Sequence, residues 1–132
     1  MIPPKDSTTG YRHFHEQLDL LKQRLLDMSE RAEALVEVSV DALLRRDAGK
    51  ADAVIAGDHQ LDGLEVEIEQ LAISLLALQQ PLARDLRFII GAIKISNDLE
   101  RVGDHAVNIA QSALRLNDMR SIITPDPEIE DM

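Results

Sequence analysis

Apolar positions along the chain recur at three- and four-residue steps, the interval that aligns side chains on one face of an α-helix. In the first such stretch Leu18, Leu21, Leu25, Met28, Ala32, Leu35, Ser39 and Ala42 keep this rhythm, while Arg24, Glu30, Arg31, Glu33 and Glu37 take the other faces. The pattern predicts a helix over residues 11–46, and Asp47-Ala48-Gly49 is expected to end it, glycine being at ease in the left-handed conformation that closes helices. In the second stretch Val54, Leu61, Leu64, Ile68, Leu71, Leu75 and Leu78 predict a helix over residues 51–79. Its interior Gly57 and Gly63 each cost up to about 1 kcal/mol relative to alanine, which suggests that something bulky approaches them. Gln80-Pro81 turns the chain, and Pro81 is expected to open a third helix over residues 81–117.

The third helix carries two stripes. One is a core line of Phe88, Ala92, Ile95, Leu99, Val102, Ala106, Ile109, Ala113 and Leu116. The other begins apolar at Leu86, Ile90 and Ile93 and then becomes Asn97, Glu100, Asp104 and Asn108. Strand-type alternation is absent. Three long helices joined by short turns predict an all-α fold, an antiparallel up-down-up three-helix bundle. Leu25, Leu35, Leu64, Ile68, Leu71, Ile95, Leu99 and Val102 are its expected core. Residues 1–10 hold two prolines and a glycine and are expected as a mobile tail, residues 11–118 as the bundle, and residues 119–132 as an acidic, proline-containing tail.

Composition sharpens this reading. Hydrophobic residues make up 45% of the chain and aromatic ones 2%, so aliphatic side chains must do the packing. The net charge of −10 disfavours nucleic acid and anionic membranes as partners and favours cations or basic protein surfaces. The chain has no cysteine, which excludes disulfides and thiolate metal sites. Neither the basic start and apolar run of a signal peptide nor a membrane-spanning run is present, and a soluble, cytoplasmic protein is expected.

The candidate chemistry lies in the carboxylates. Glu100 and Asp104 are four residues apart and so project from one helix face, and Asp58 and Asp62 repeat the spacing on the second helix, continued by Glu65 and Glu69. Packed together, these faces would raise one another's pKa values unless a cation neutralised them, and all-oxygen sites suit hard cations and, less exclusively, Fe, Mn or Zn. The plainer alternative is a solvated acidic surface, but charge interrupting an apolar stripe argues against it. The histidines add little: none of His13, His15, His59 and His105 follows a glutamate three residues earlier, so the di-iron carboxylate motif is missing. A phosphotransfer histidine has no distinctive setting here either. No phosphate-binding glycine loop, nucleophile elbow or zinc-protease motif occurs, and no catalytic residue is assigned. Arg87, Lys94 and Arg101 form a modest basic line that serves either solvation or an anionic partner.

The run from Asn97 to Ile109, Asn-Asp-Leu-Glu-Arg-Val-Gly-Asp-His-Ala-Val-Asn-Ile, resembles the signature of the PhoU family, the phosphate-transport system regulatory proteins. Gln80 to Ile89 is similar to that family's preceding segment, and Asp58, Asp62 and Glu65 fit its second-helix acidic pattern. The resemblance spans residues 11–118. It implies three-helix bundles, usually two in tandem, that bind multinuclear iron or other metal (Zn, Mn, Ni) clusters through paired acidic motifs. Glu100 with Asp104 and Asp58 with Asp62 match those motifs, and Asn97 and Glu65 are carried over beside them. It also implies negative regulation of phosphate uptake through contacts with a phosphate ABC transporter and a sensor histidine kinase. This chain holds one bundle where the family usually has two, as either a half-length member or a truncated piece of a tandem one. A non-enzymatic, metal-binding adaptor is therefore the leading expectation, with a carboxylate metalloenzyme or a plain helical assembly module as alternatives. The second apolar stripe of the third helix, uncovered in a lone bundle, predicts a homodimer through that helix.

Overall fold

The computed structural model describes residues 4–78 and 81–123, with side chains over 12–77 and 81–119. Three helices, α1 (Pro4–Arg45), α2 (Ala48–Leu78) and α3 (Ala83–Ile123), pack each against the other two, and no strand occurs among the described residues. This is the expected all-α three-helix bundle. Its boundaries differ from expectation. α1 starts at Pro4, so residues 4–10, expected as tail, are helical; proline is tolerated in a first turn because its missing N–H has no partner there. α3 runs past Asn117 to Ile123, into the stretch expected as an acidic tail. Residues 1–3 and 124–132 lie outside the described residues.

The turn between α1 and α2 works differently from its expected form. Arg46, not Gly49, takes the left-handed conformation, with φ of 58°, and Gly49 belongs to α2. The Asp47 N–H donates to the Ala42 carbonyl at 3.0 Å, which closes α1 around the single left-handed residue. Asp47 Oδ1 then accepts the Lys50 N–H at 3.1 Å, capping α2. Asn117 Nδ2 of α3 donates to the Arg46 carbonyl at 3.2 Å, tying the third helix to this turn. At the other end Pro81 precedes α3, whose first bond runs from the Leu86 N–H to the Leu82 carbonyl at 2.8 Å; the proline is therefore not the first helical residue.

The core has two parts. Large side chains fill one: Phe14, Leu18, Leu21 and Met28 of α1, Leu61, Ile68 and Leu75 of α2, and Ile89 of α3. The other, toward the α1–α2 turn, is built from Ala42, Ala51, Val54, Ala106, Ala110 and Ala113. Small residues allow the helices to approach closely there. Every position of the expected α1 line is buried or half-buried, Ser39 included, its hydroxyl satisfied by the Val36 carbonyl at 2.8 Å. The α3 line is rotated from its expected course. Ile95 and Leu116, expected inside, are 47% and 46% exposed, and the interior line is Ile89, Ala92, Ser96, Gly103, Ala106, Ala110 and Ala113. Ser96 is admitted because its hydroxyl donates to the Ile93 carbonyl at 2.8 Å. Leu99 and Val102 are partly buried against the core. Of the second apolar stripe, Leu86 and Ile90 are exposed while Ile93 packs on the core. Among the described residues no helix is long and apolar enough to cross a membrane.

Candidate metal centre

The two parts of the core meet where Asp58 and Asp62 of α2 face Glu100 of α3. One carboxylate oxygen from each of these three residues lies within 4.8 Å of the others. Helix periodicity explains the convergence: Asp58 and Asp62 flank the fully buried Leu61, so both are held near the side of α2 that turns toward α3. All three are half-buried. Asp58 Oδ1 and Glu100 Oε2 are shielded from solvent and accept no hydrogen bond. Among the described residues no lysine or arginine is ion-paired with any of the three.

The electrostatics follow from this geometry. Burial, a hydrogen bond to Asp62, and the charges of Asp62, Glu65 and Asp58 raise Glu100 from the ordinary 4.5 to about 8. Glu100 in its protonated form thus donates to Asp62, whereas ionised it has no donor for Oε2. Burial first, then the charges of Asp62 and Asp104, raise Asp58, with His59 pulling the other way. Glu65 is raised by burial and by Glu69, Asp62 and Asp104.

The six residues singled out by sequence therefore divide. Asp58, Asp62 and Glu100 form the close group. Glu65, half-buried, and Asp104, exposed, stand outside it but near enough for their charges to act on it. Asn97 is exposed one turn before Glu100. Two of the surface grooves lie elsewhere, one between α1 and α3 at Lys22, Leu26 and Phe88, the other between α1 and α2 at Arg31, Gln60 and Glu67. Of the glycines flagged in α2, Gly57 is crowded, an added Cβ falling 2.9 Å from Leu35 Cδ2, whereas Gly63 opens on free space. The glycine that bears on the site is Gly103, whose signal in the sequence was its place inside a helix between Glu100 and Asp104.

The donor set fits a hard cation. It is all oxygen, includes two shielded carboxylate oxygens that lack any donor, and gathers negative charge that no lysine or arginine pairs with among the described residues.

Comparison with known proteins agrees with the motifs. The PhoU domain family matches residues 25–113, a span that includes Asp58, Asp62, Glu65, Asn97, Glu100 and Asp104. The chain is similar to the phosphate-specific transport system accessory protein PhoU homolog of Caulobacter vibrioides, at 45% identity over 107 residues, covering 81% of this chain and 46% of the relative. The protein of the same name from Clostridium acetobutylicum is 43% identical over 105 residues, covering 79% of this chain and 48% of the relative. That from Aquifex aeolicus is 41% identical over 101 residues, covering 76% and 46%. The chain spans about half the length of the curated relatives it matches. With the family domain matched across most of the bundle, the chain belongs to the PhoU family.

Proposed function

We propose that the chain is a metal-binding accessory of phosphate transport that holds a hard cation between α2 and α3 and acts by contact with partners, not by catalysis. One observation carries the reading: Asp58 Oδ1 and Glu100 Oε2 are shielded oxygens without a donor, in a cluster that among the described residues no lysine or arginine pairs with. A cation bound by Asp58, Asp62 and Glu100 supplies both a partner and a counter-charge. Glu65, Asp104 and Asn97 are the donors available to further ions, so the same face suits a multinuclear cluster. Oxygen-only ligation favours iron or manganese over the softer Zn and Ni.

The names of the relatives support a place in phosphate-specific transport. On this reading the chain restrains phosphate uptake through a phosphate ABC transporter and a sensor histidine kinase, working in the cytoplasm. A second copy meets the first through the exposed Leu86 and Ile90 of α3.

The test is metal analysis of chain purified without chelator, beside the double variant Asp58→Asn, Glu100→Gln. The unmodified chain should carry metal and the variant should lose it with helicity intact. Equal metal content in both would contradict the site. In cells, the same variant should release phosphate uptake in phosphate-rich medium; unchanged uptake would remove the regulatory role.

A further inference from the structure

The two acidic motifs interlock through a residue that has no side chain. Leu61 lies between Asp58 and Asp62 on α2, and Gly103 lies between Glu100 and Asp104 on α3. Gly103 is buried, and a Cβ built on it would stand 2.5 Å from Leu61 Cδ2 and 2.7 Å from Asp58 Oδ1. Both lie well inside the roughly 3.5 Å at which non-bonded atoms meet favourably. Gly57 is crowded as well, by Leu35, and an added Cβ on Gly63 or Gly91 meets nothing within 4 Å, so Gly103 is the crowded glycine that faces a carboxylate of the site. A glycine here costs the helix about 1 kcal/mol relative to alanine. Close approach of α2 is what it gains in return.

The crowded atom is also the informative one. Asp58 Oδ1 is one of the two shielded carboxylate oxygens without a donor. A methyl group at 103 meets two side-chain ends: Leu61, fully buried, must shift its δ-methyl within the core, and the clash with Oδ1 is relieved by turning Asp58 away from α3 and from Glu100. We infer that Gly103 is the positioning residue of the ion site, its missing side chain being what lets Asp58 reach the oxygen cluster. The inference rests on the ion-binding reading above and adds a determinant that is not itself a ligand.

Manganese(II) is the probe, its free form read by electron paramagnetic resonance, with helicity in chelator as the check of folding. Gly103→Ala should bind at least tenfold more weakly than the unmodified chain. In an Asp58→Asn background the same change should alter affinity less than twofold, because the displaced group no longer ligates as a carboxylate. A purely structural disturbance would weaken binding again there, since asparagine is the same size. Should Gly103→Ala fold poorly, Leu61→Val removes the Cδ2 contact, and Leu61→Val with Gly103→Ala should still bind at least tenfold more weakly than Leu61→Val alone. Binding within twofold in either comparison, or a further loss in the Asp58→Asn background, overturns the role of Gly103. An unmodified chain that takes up no manganese refutes the ion site itself, and the role of Gly103 with it.

Discussion

Replacing Glu100 with glutamine should make the metal-free protein more stable at alkaline pH and no more stable in acid. Glu100 titrates near 4.5 when unfolded and at about 8 in the bundle, so the folded state binds the proton more tightly. The sign follows: below the unfolded value both states are protonated and nothing is lost, stability falls as pH rises between the two values, and the full penalty applies above about 8. At about 1.4 kcal/mol per pH unit the gap is at most about 5 kcal/mol. The side chain is only half-buried, and solvent screening reduces the expectation to about 1–3 kcal/mol. Glutamine keeps the shape of the protonated form and removes the titration. Urea unfolding followed by circular dichroism, in chelator, at pH 8 and at pH 4, measures the difference. The variant should gain at pH 8 and match the unmodified chain at pH 4, and added metal should reverse the order at pH 8 by stabilising only the unmodified chain. Equal destabilisation at both pH values would show that Glu100 contributes packing or hydrogen bonding in place of an uncompensated charge.

Other perturbations test the register and the assembly. Leu61→Ala should cost about 2–5 kcal/mol in urea unfolding, whereas Ile95→Ala at a half-exposed position should cost less than about 1 kcal/mol; the reverse order would contradict the α3 core line. Asp47→Ala removes the α2 cap and should cost about 1 kcal/mol by the same assay, with no effect meaning that water replaces the bond. Sedimentation should find the unmodified chain dimeric and the Leu86→Lys, Ile90→Lys variant monomeric; a monomeric unmodified chain would leave that stripe to a different partner.

How far the fold could be read from sequence varied by helix, for physical reasons. On α1 the line from Leu18 to Ala42 is continuous over about seven turns while the apolar residues off it are scattered, so its positions fell where periodicity put them, and Leu26, Val40 and Leu44 remain exposed. α3 has aliphatic residues on several sides, and periodicity favoured the large ones. The bundle instead buries Ser96, Gly103 and Ala110, small residues that suit close contact, and leaves Ile95 and Leu116 outside. Arg46 adopts the left-handed turn expected of Gly49 because the capping bonds on both sides of it fix the chain there. The acidic spacing named the carboxylates able to meet, but whether α2 and α3 turn those faces together depends on tertiary packing. That packing selected Asp58, Asp62 and Glu100 as the close group. The importance of Gly103 was out of reach for the same reason, since a close approach needs both partners in place.

The position of a bound ion tests the central claim most directly. Crystals of the unmodified chain grown with manganese or iron, measured at the absorption edge of the metal, should show an anomalous peak between α2 and α3 in contact with Asp58, Asp62 and Glu100. No peak there, or peaks only at other acidic surfaces, would contradict the account.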